Sequence, residues 1–475
     1  MSGSDSNKEY GVLEPVAKQD RHFGFLDMML TWMGANFQPG AWAVGGAIAS
    51  AGFLGAMSIV LIANPATYII LALVALISYK IGLPTIILTR PALGVKGGTL
   101  AVATNIISII GWTAISNFFA AITISFIFNA MFGTPAYGSP GSEIWLMLGC
   151  CINAFIAFIA VFIGGSRSLK IFERIMMITL IILAIFISIK LFHMVTFKEL
   201  IEWVIPADKR ITFGVGMDAM IAYGITWANI CGDYTRYTRN ATSATLAPVL
   251  GASIAAIWFA VIGVISVATI ALTTGFFDAN NANPSSLIMG LGFSWIALIV
   301  VVFSTVTTTM VNLYSGSINL LSLHRRISQR GANWVIVIVT TLLAFVPVFY
   351  GSFVDLFMAF MDILSVVFPP MLAIVIVDFF LIKKQNYEVA EMDKKGGRYW
   401  YTNGFNVTAI IVWVAGAIIY MFLRSIKFGA HSVGAVLPCF LACCLLYYIV
   451  ARATNKSSSQ YPEKSADESG LDQIA

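Results

Sequence analysis

Between Met28 and Tyr79 the chain contains no Asp, Glu, Lys, Arg or His. An apolar run of that length constrains the fold more than any motif does. Crossing ~30 Å of hydrocarbon takes about 20 apolar residues in a helix. Lipid offers the backbone no hydrogen-bonding partner, so such a run must form helices that satisfy themselves. Cutting the apolar runs at turn signals and charges divides the 475 residues into twelve segments: 27–51, 54–80, 99–131, 143–164, 174–194, 212–232, 244–273, 287–320, 332–350, 354–382, 405–424 and 432–451. The chain is 59% hydrophobic and 11% charged, where soluble domains carry about 25% charged residues. The expected fold is all-α integral membrane, with 12 transmembrane helices and the lipid bilayer as solvent. Segments three and eight exceed the length a span needs and are expected to tilt.

The loops orient these spans. With the N-terminus inside, the inner loops carry sixteen Lys and Arg from Lys80 to Arg398, and the outer loops five: Lys198, Lys209, Arg210, Arg424 and Lys427. That bias is the positive-inside pattern of a plasma-membrane protein with both termini cytoplasmic. The polar start MSGSDSNKEYGVLEPVAKQDRH has no apolar h-region or cleavage site of a signal peptide. The expected organisation is a cytoplasmic tail over 1–25, a core of spans one to ten over 26–382 and a cytoplasmic loop over 383–404. Spans eleven and twelve then fill 405–451, and a polar tail follows over 452–475. The net charge of +5 sits in short loops between apolar runs, so nucleic acid is not an expected partner. All six Cys lie within or at the ends of apolar runs without metal-site spacing, and are read as free thiols.

Against this apolar background, residues 34–42 read GANFQPGAW. A Pro-Gly break at membrane depth survives only where the freed backbone groups face protein, water or a ligand. Span six has its own weak point in IAYGITWANICG, residues 221–232, where Gly224 lies between Tyr223 and Trp227. Paired interruptions in corresponding spans of two five-helix halves point to an inverted-repeat transporter, which holds its substrate at the midplane between the broken helices. On that reading, carbonyls near Gly34 and Phe37 ligate a cation and Gln38 bonds a substrate. The alternative is a Pro kink that only shapes helix packing.

Span three places Trp112 in IIGWTAISN, with Ser108, Ser116 and Asn117 within about a turn. Span eight holds FSTVTTTMVN, residues 303–312, with Ser304, Thr307 and Thr308 on one helical face. Hydroxyls so spaced can ligate a small hard cation, or back-bond to a carbonyl one turn earlier. Asp218 and Asp362 lie inside segments six and ten. A charge within the bilayer is costly and marks function by default, so Asp218 is a candidate proton or cationic-substrate site. The four His are at span ends or in loops, and no G-x-x-x-x-G-K-[ST] loop occurs. Neither a catalytic cluster nor direct use of ATP is expected.

These pieces resemble the nucleobase:cation symporter-1 family, together with TRPALGVKGG at 89–98, GDYTRYTRN at 232–240 and YWYTNGFNVTA at 399–409. The family includes cytosine permeases, allantoin permeases and the hydantoin transporter, and the likeness runs from about residue 23 to about 450. It implies a five-plus-five inverted repeat of the LeuT-like kind, with broken helices one and six plus two extra helices. It also implies a small planar amide stacked between an aromatic of span three, here Trp112, and one of span six. Gln38 and Ser116 would add polar contacts, and Thr309 and Asn312 would face the substrate. The span-six aromatic falls on Gly224, leaving Tyr223 and Trp227 as its neighbours. The cation site would fall on the carbonyls of Gly34 and Phe37 and on Ser304, Thr307 and Thr308. A register anchored on Asn312 puts Val306 and Thr307 there instead, which favours a proton over Na⁺.

The function expected is secondary active import of nucleobases (purines, pyrimidines or both) by symport with Na⁺ or H⁺. No organic cofactor is expected, and the carrier would act as a monomer. The alternatives are an allantoin or hydantoin permease, from the span-eleven motif, and a carrier of a cationic vitamin precursor of the thiamine or hydroxymethylpyrimidine type, from Asp218. A channel or a membrane-embedded enzyme is the rival from another class.

Overall fold

The computed structural model describes residues 14–323 and 327–457. The outer parts of both tails and the loop residues Arg325 and Arg326 lie outside the described residues, as do the side chains of Arg167, Lys170 and Arg174. Among the described residues, ten helices are long and apolar enough to cross a membrane. They carry spans two (Phe53–Ile81), three (Val95–Phe132), seven (Ala241–Thr274), ten (Phe353–Ile382), eleven (Val407–Ser425) and twelve (from Val436). Span eight is Ile296–Leu323, and span nine lies within Gln329–Tyr350. Spans four and five, Glu143–Val161 and Ile175–Met194, belong to one helical run, Glu143–Met194, where the sequence reading expects a loop. No Pro interrupts that run.

Span eight differs from its expected extent for a local reason. Residues 287–290 end a separate short helix, Pro284–Gly290, which starts on a Pro and is capped by Asn283, whose Oδ1 accepts from Ser286 N at 2.9 Å. Gly292 then turns left-handed at φ +71° before span eight begins. Part of the expected length is thus a separate helix, and span eight itself runs 28 residues. Span three is one 38-residue helix, Val95–Phe132, which starts four residues before the expected segment and ends at left-handed Gly133.

The two remaining segments are the interrupted ones. Span one is split into Phe25–Asn36 and Pro39–Ile48. A Pro lacks the amide hydrogen that would continue a helix, and it pushes the preceding residue out of helical conformation. Gln38 accordingly lies extended, at φ −147° and ψ 158°, and Pro39 opens the next helix. Span six runs helical over Phe213–Ile225, tightens to a 3₁₀ turn over Thr226–Asn229, and resumes as Gly232–Thr235. The loosening thus begins two residues after Gly224, where the Thr226 hydroxyl donates to the Tyr223 carbonyl at 3.0 Å.

Small residues let these spans approach closely, as membrane helices do when no water drives association. A methyl on Gly45 would come within 2.6 Å of Ala260 Cα, and one on Gly263 within 2.7 Å of Gly46 N, so spans one and seven pack backbone to backbone. The Phe37 ring fills the seam against Trp258 and Phe259. Spans three, four and eight share a buried polar cluster in which Asn153 Nδ2 donates to Asn117 Oδ1 at 2.6 Å and to Thr309 Oγ1 at 3.1 Å.

The loop motifs at 89–98 and 399–409 dock on one another. Lys96 N donates to Gly404 O, and Asn406 N to Leu93 O, both at 2.8 Å. Tyr401 Oη and Asn406 Nδ2 donate to the carbonyls of Pro91 and Ala92 at 2.7 Å, while Arg90 pairs with Asp393. The latch ties the loop between spans two and three to the loop between spans ten and eleven.

Candidate substrate cavity

Spans one, three, six and eight enclose a cavity of about 80 Å³. One water needs ~10–15 Å³ on the same measure, so the space suits a small molecule. Each wall is a stripe at helical spacing: Asn105, Ser108, Trp112, Ser116 and Phe119 from span three, Tyr223, Thr226, Trp227 and Ile230 from span six, and Thr305, Thr308 and Asn312 from span eight. Span one contributes its break, Gln38 to Gly40. Gly40 sits in the wedge between two rings; a Cβ there would lie 3.4 Å from Tyr223 and 3.6 Å from Trp112.

The Trp112 indole is braced edge-to-face by three rings. Tyr223 lies at 5.8 Å and 81°, Phe360 at 5.5 Å and 81°, and Phe357 at 6.4 Å and 75°. Tyr223 therefore closes the cavity at a right angle to the indole instead of parallel to it. Trp227 is held edge-to-face against Trp32 at 6.0 Å. The buried indole N–H of Trp112 has no partner among the described residues. Gln38 Nε2 donates to Tyr223 Oη at 3.2 Å.

Of the residues singled out by sequence, Gln38, Ser108, Trp112, Ser116, Tyr223, Trp227, Thr308 and Asn312 line this cavity. The others are placed elsewhere. Gly224 faces span two, where a Cβ would meet Thr67 Cγ2 at 2.8 Å, so this position is glycine because a neighbouring helix occupies the space. Thr309 is buried in the Asn117–Asn153 cluster. Ser304 and Thr307 are buried outside the lining, and the hydroxyls of Thr307 and Thr308 donate to the Ser304 carbonyl at 2.7 and 3.0 Å. The back-bonding alternative is thus realised in this conformation. Gly34 packs against Met177 of span five, and the ring of Phe37 against span seven.

Asp218 lies away from the cavity. Its carboxylate accepts from Ala435 N at 2.8 Å and Val436 N at 2.9 Å, where span twelve begins. A carboxylate at a helix N-terminus satisfies otherwise orphaned amides and the positive end of the helix dipole. Asp362 accepts from Tyr420 Oη at 3.0 Å and Arg424 at 3.2 Å. Asn105, Phe119, Thr226 and Thr305 line the cavity without having been singled out. The signal was present: each lies three or four residues, or two turns, from a residue that was.

A family model described as "Permease for cytosine/purines, uracil, thiamine, allantoin" matches residues 15–450. The allantoin permease of Bacillus subtilis is 23% identical over 94% of both chains. The purine-uracil permease NCS1 of Arabidopsis thaliana is 22% identical over 86% of this chain and 70% of its own. Among solved structures, inward-facing Mhp1 superposes with a TM-score of 0.78 at 16% identity, over 93% of both chains. Mhp1 with bromovinylhydantoin bound, described as a nucleobase-cation-symport-1 family transporter, superposes with 0.74 at 15% identity, over 95% of this chain and 97% of its own. The fold is the inverted-repeat one that the paired breaks imply, and the family is one of membrane permeases. A chain matched over residues 15–450, with its two broken spans meeting at one cavity, belongs to the nucleobase:cation symporter-1 family of permeases.

Proposed function

We propose that this protein imports nucleobases across the plasma membrane by cation symport, with the substrate held between broken spans one and six. The observation that carries the reading is the cavity lining, which contains a broad indole, three side-chain amides (Gln38, Asn105, Asn312), several hydroxyls and, among the described residues, no charged side chain. A neutral planar amide matches those groups. Its π-face stacks on Trp112, a contact worth ~1–3 kcal/mol, and its edge meets Gln38, Ser116 and Asn312. Tyr223 and Trp227 supply the span-six aromatic surface. A cationic vitamin precursor would meet only ring faces and neutral dipoles in this lining, which has no carboxylate among the described residues.

The coupling ion is Na⁺ on this reading, held by the carbonyls of Gly34 and Phe37 with Ser304, Thr307 and Thr308. The Thr308 hydroxyl lines the same cavity as the break in span one, and its proton is engaged by the Ser304 carbonyl, leaving its lone pairs for a cation. Among the described residues, that lining holds no carboxylate for a proton to ride on. Alternating access follows if spans one, two, six and seven rock as a unit against the rest, a division supported by the close packing of one on seven and six on two. The basic inner loops support cytoplasmic termini.

A second reading, allantoin uptake, is favoured by the span-eleven motif and by the full-length allantoin permease relative. Competition uptake separates the two. Cells without nucleobase carriers express the chain and receive labelled uracil, adenine or hypoxanthine, with unlabelled bases, allantoin and thiamine as competitors, with and without Na⁺ and a protonophore. Base-inhibited, Na⁺-dependent accumulation is expected. Expressed protein that takes up none of these bases overturns the nucleobase reading, and accumulation that collapses only with the protonophore overturns the Na⁺ assignment.

A further inference from the structure

The hydrogen bonds beneath the cavity run one way, and their direction decides which end of the Gln38 amide is free. The chain starts at a backbone carbonyl, which can only accept. Trp32 O accepts from Asn36 Nδ2 at 3.1 Å, so the Asn36 oxygen faces the other side. That oxygen accepts from two phenols, Tyr68 Oη at 2.8 Å and Tyr223 Oη at 3.4 Å. A phenol has one proton. With that proton given to Asn36, Tyr223 Oη can only accept from Gln38, and Gln38 Nε2 lies 3.2 Å from it. Asn36 and Tyr68 are fully buried and neither lines the cavity, whereas Gln38 and Tyr223 do.

We propose that this relay polarises the cavity by turning Gln38 Oε1 toward the substrate, so that the carrier selects nucleobases whose facing edge presents a ring N–H. Hypoxanthine and uracil present one. Adenine and cytosine present a bare ring nitrogen at the equivalent position, which would set lone pair against lone pair. The inference rests on the nucleobase reading above and adds the polarity of the edge recognised. Asn36 is then a positioning residue, acting on the substrate through Tyr223 and Gln38, and Tyr68 only shares its oxygen.

The test is a ratio of competition constants, hypoxanthine against adenine and uracil against cytosine, measured on the full chain in cells. A ratio taken on one protein does not depend on how much of it is folded, so a merely structural role would not move it. Wild type is expected to favour the N–H member of each pair by about ten-fold, the scale of one mismatched hydrogen bond. Tyr68→Phe leaves Tyr223 donating to Asn36 and should keep the ratio within about two-fold. The double variant Asn36→Leu, Tyr68→Phe removes the acceptor and the phenol that would lose it, and keeps the branched outline of the Asn36 side chain. Tyr223 then donates to Gln38 Oε1, the amide turns over, and the preference should reverse. An unchanged ratio in the expressed double variant overturns the relay. If that variant fails to reach the membrane, Tyr223→Phe decides: the preference should fall to within about two-fold, and a retained ten-fold preference overturns the inference. Wild-type protein that takes up none of the four bases overturns the nucleobase reading instead, a separate and earlier failure.

Discussion

Replacing Trp112 by Ala separates the binding surface from the fold. In the structure the indole is half-buried at the cavity wall and touches three rings edge-to-face, Tyr223, Phe357 and Phe360. Each aromatic pair contributes about 0.5–1.5 kcal/mol beyond its buried area, and truncating a large aromatic costs about 3–5 kcal/mol in a closed core. Because Trp112 is half-buried at the cavity wall rather than enclosed in a core, the lower end applies, about 3 kcal/mol of stability. Substrate binding loses the stacking contribution of ~1–3 kcal/mol, which is about 5- to 150-fold in affinity. Trp112→Phe keeps an aromatic face and should stay within about ten-fold of wild type. The assay pairs substrate competition in cells with thermal unfolding of purified protein, with and without substrate. Trp112→Ala should unfold at a lower temperature and show no substrate-induced stabilisation, while Trp112→Phe keeps both. An unchanged competition constant for folded Trp112→Ala refutes the stacking model.

Three further outcomes follow from the geometry. Thr308→Ala removes a span-eight hydroxyl that lines the same cavity as the break, and should raise the Na⁺ concentration for half-maximal uptake by about ten-fold while leaving the ranking of competing bases unchanged; wild-type Na⁺ dependence would remove Thr308 from the ion site. Asp218→Asn weakens the cap on span twelve, so an unfolding shift equivalent to about 1–2 kcal/mol is expected, with substrate affinity and ion dependence intact; folded protein without transport would put Asp218 in the coupling machinery. Gly94→Ala places a Cβ about 2.8 Å from Asn406 N at a φ of +93°, strain of ~1–3 kcal/mol that should open the latch. Trypsin should then cut faster at Lys394, Lys395 and Arg398, and an unaltered digestion rate would argue that the two loops do not hold each other.

Much of the fold was legible in the sequence because the signals are local. Run length sets the number of helices that lipid can accept, and Pro39 alone forces Gln38 out of the helix. The stripe from Asn105 through Trp112 to Phe119 follows helical spacing, so its members share a face wherever that face points. Which face meets the cavity was decided by the tertiary structure. Gly224 and Tyr223 are adjacent in sequence, yet Thr67 of span two lies against one and the cavity opens beside the other. Asp218 carries a charge in an apolar run, a mark of function by sequence, until span twelve brings two unsatisfied amides to it across more than two hundred residues. The same is true of Asn36, a polar residue within GANFQPGAW, whose orientation comes from Trp32 one turn earlier and from Tyr68 and Tyr223 on other helices. A residue's own helix fixes its direction, but only the neighbours packed against that helix decide whether it meets a ligand, a backbone or another side chain.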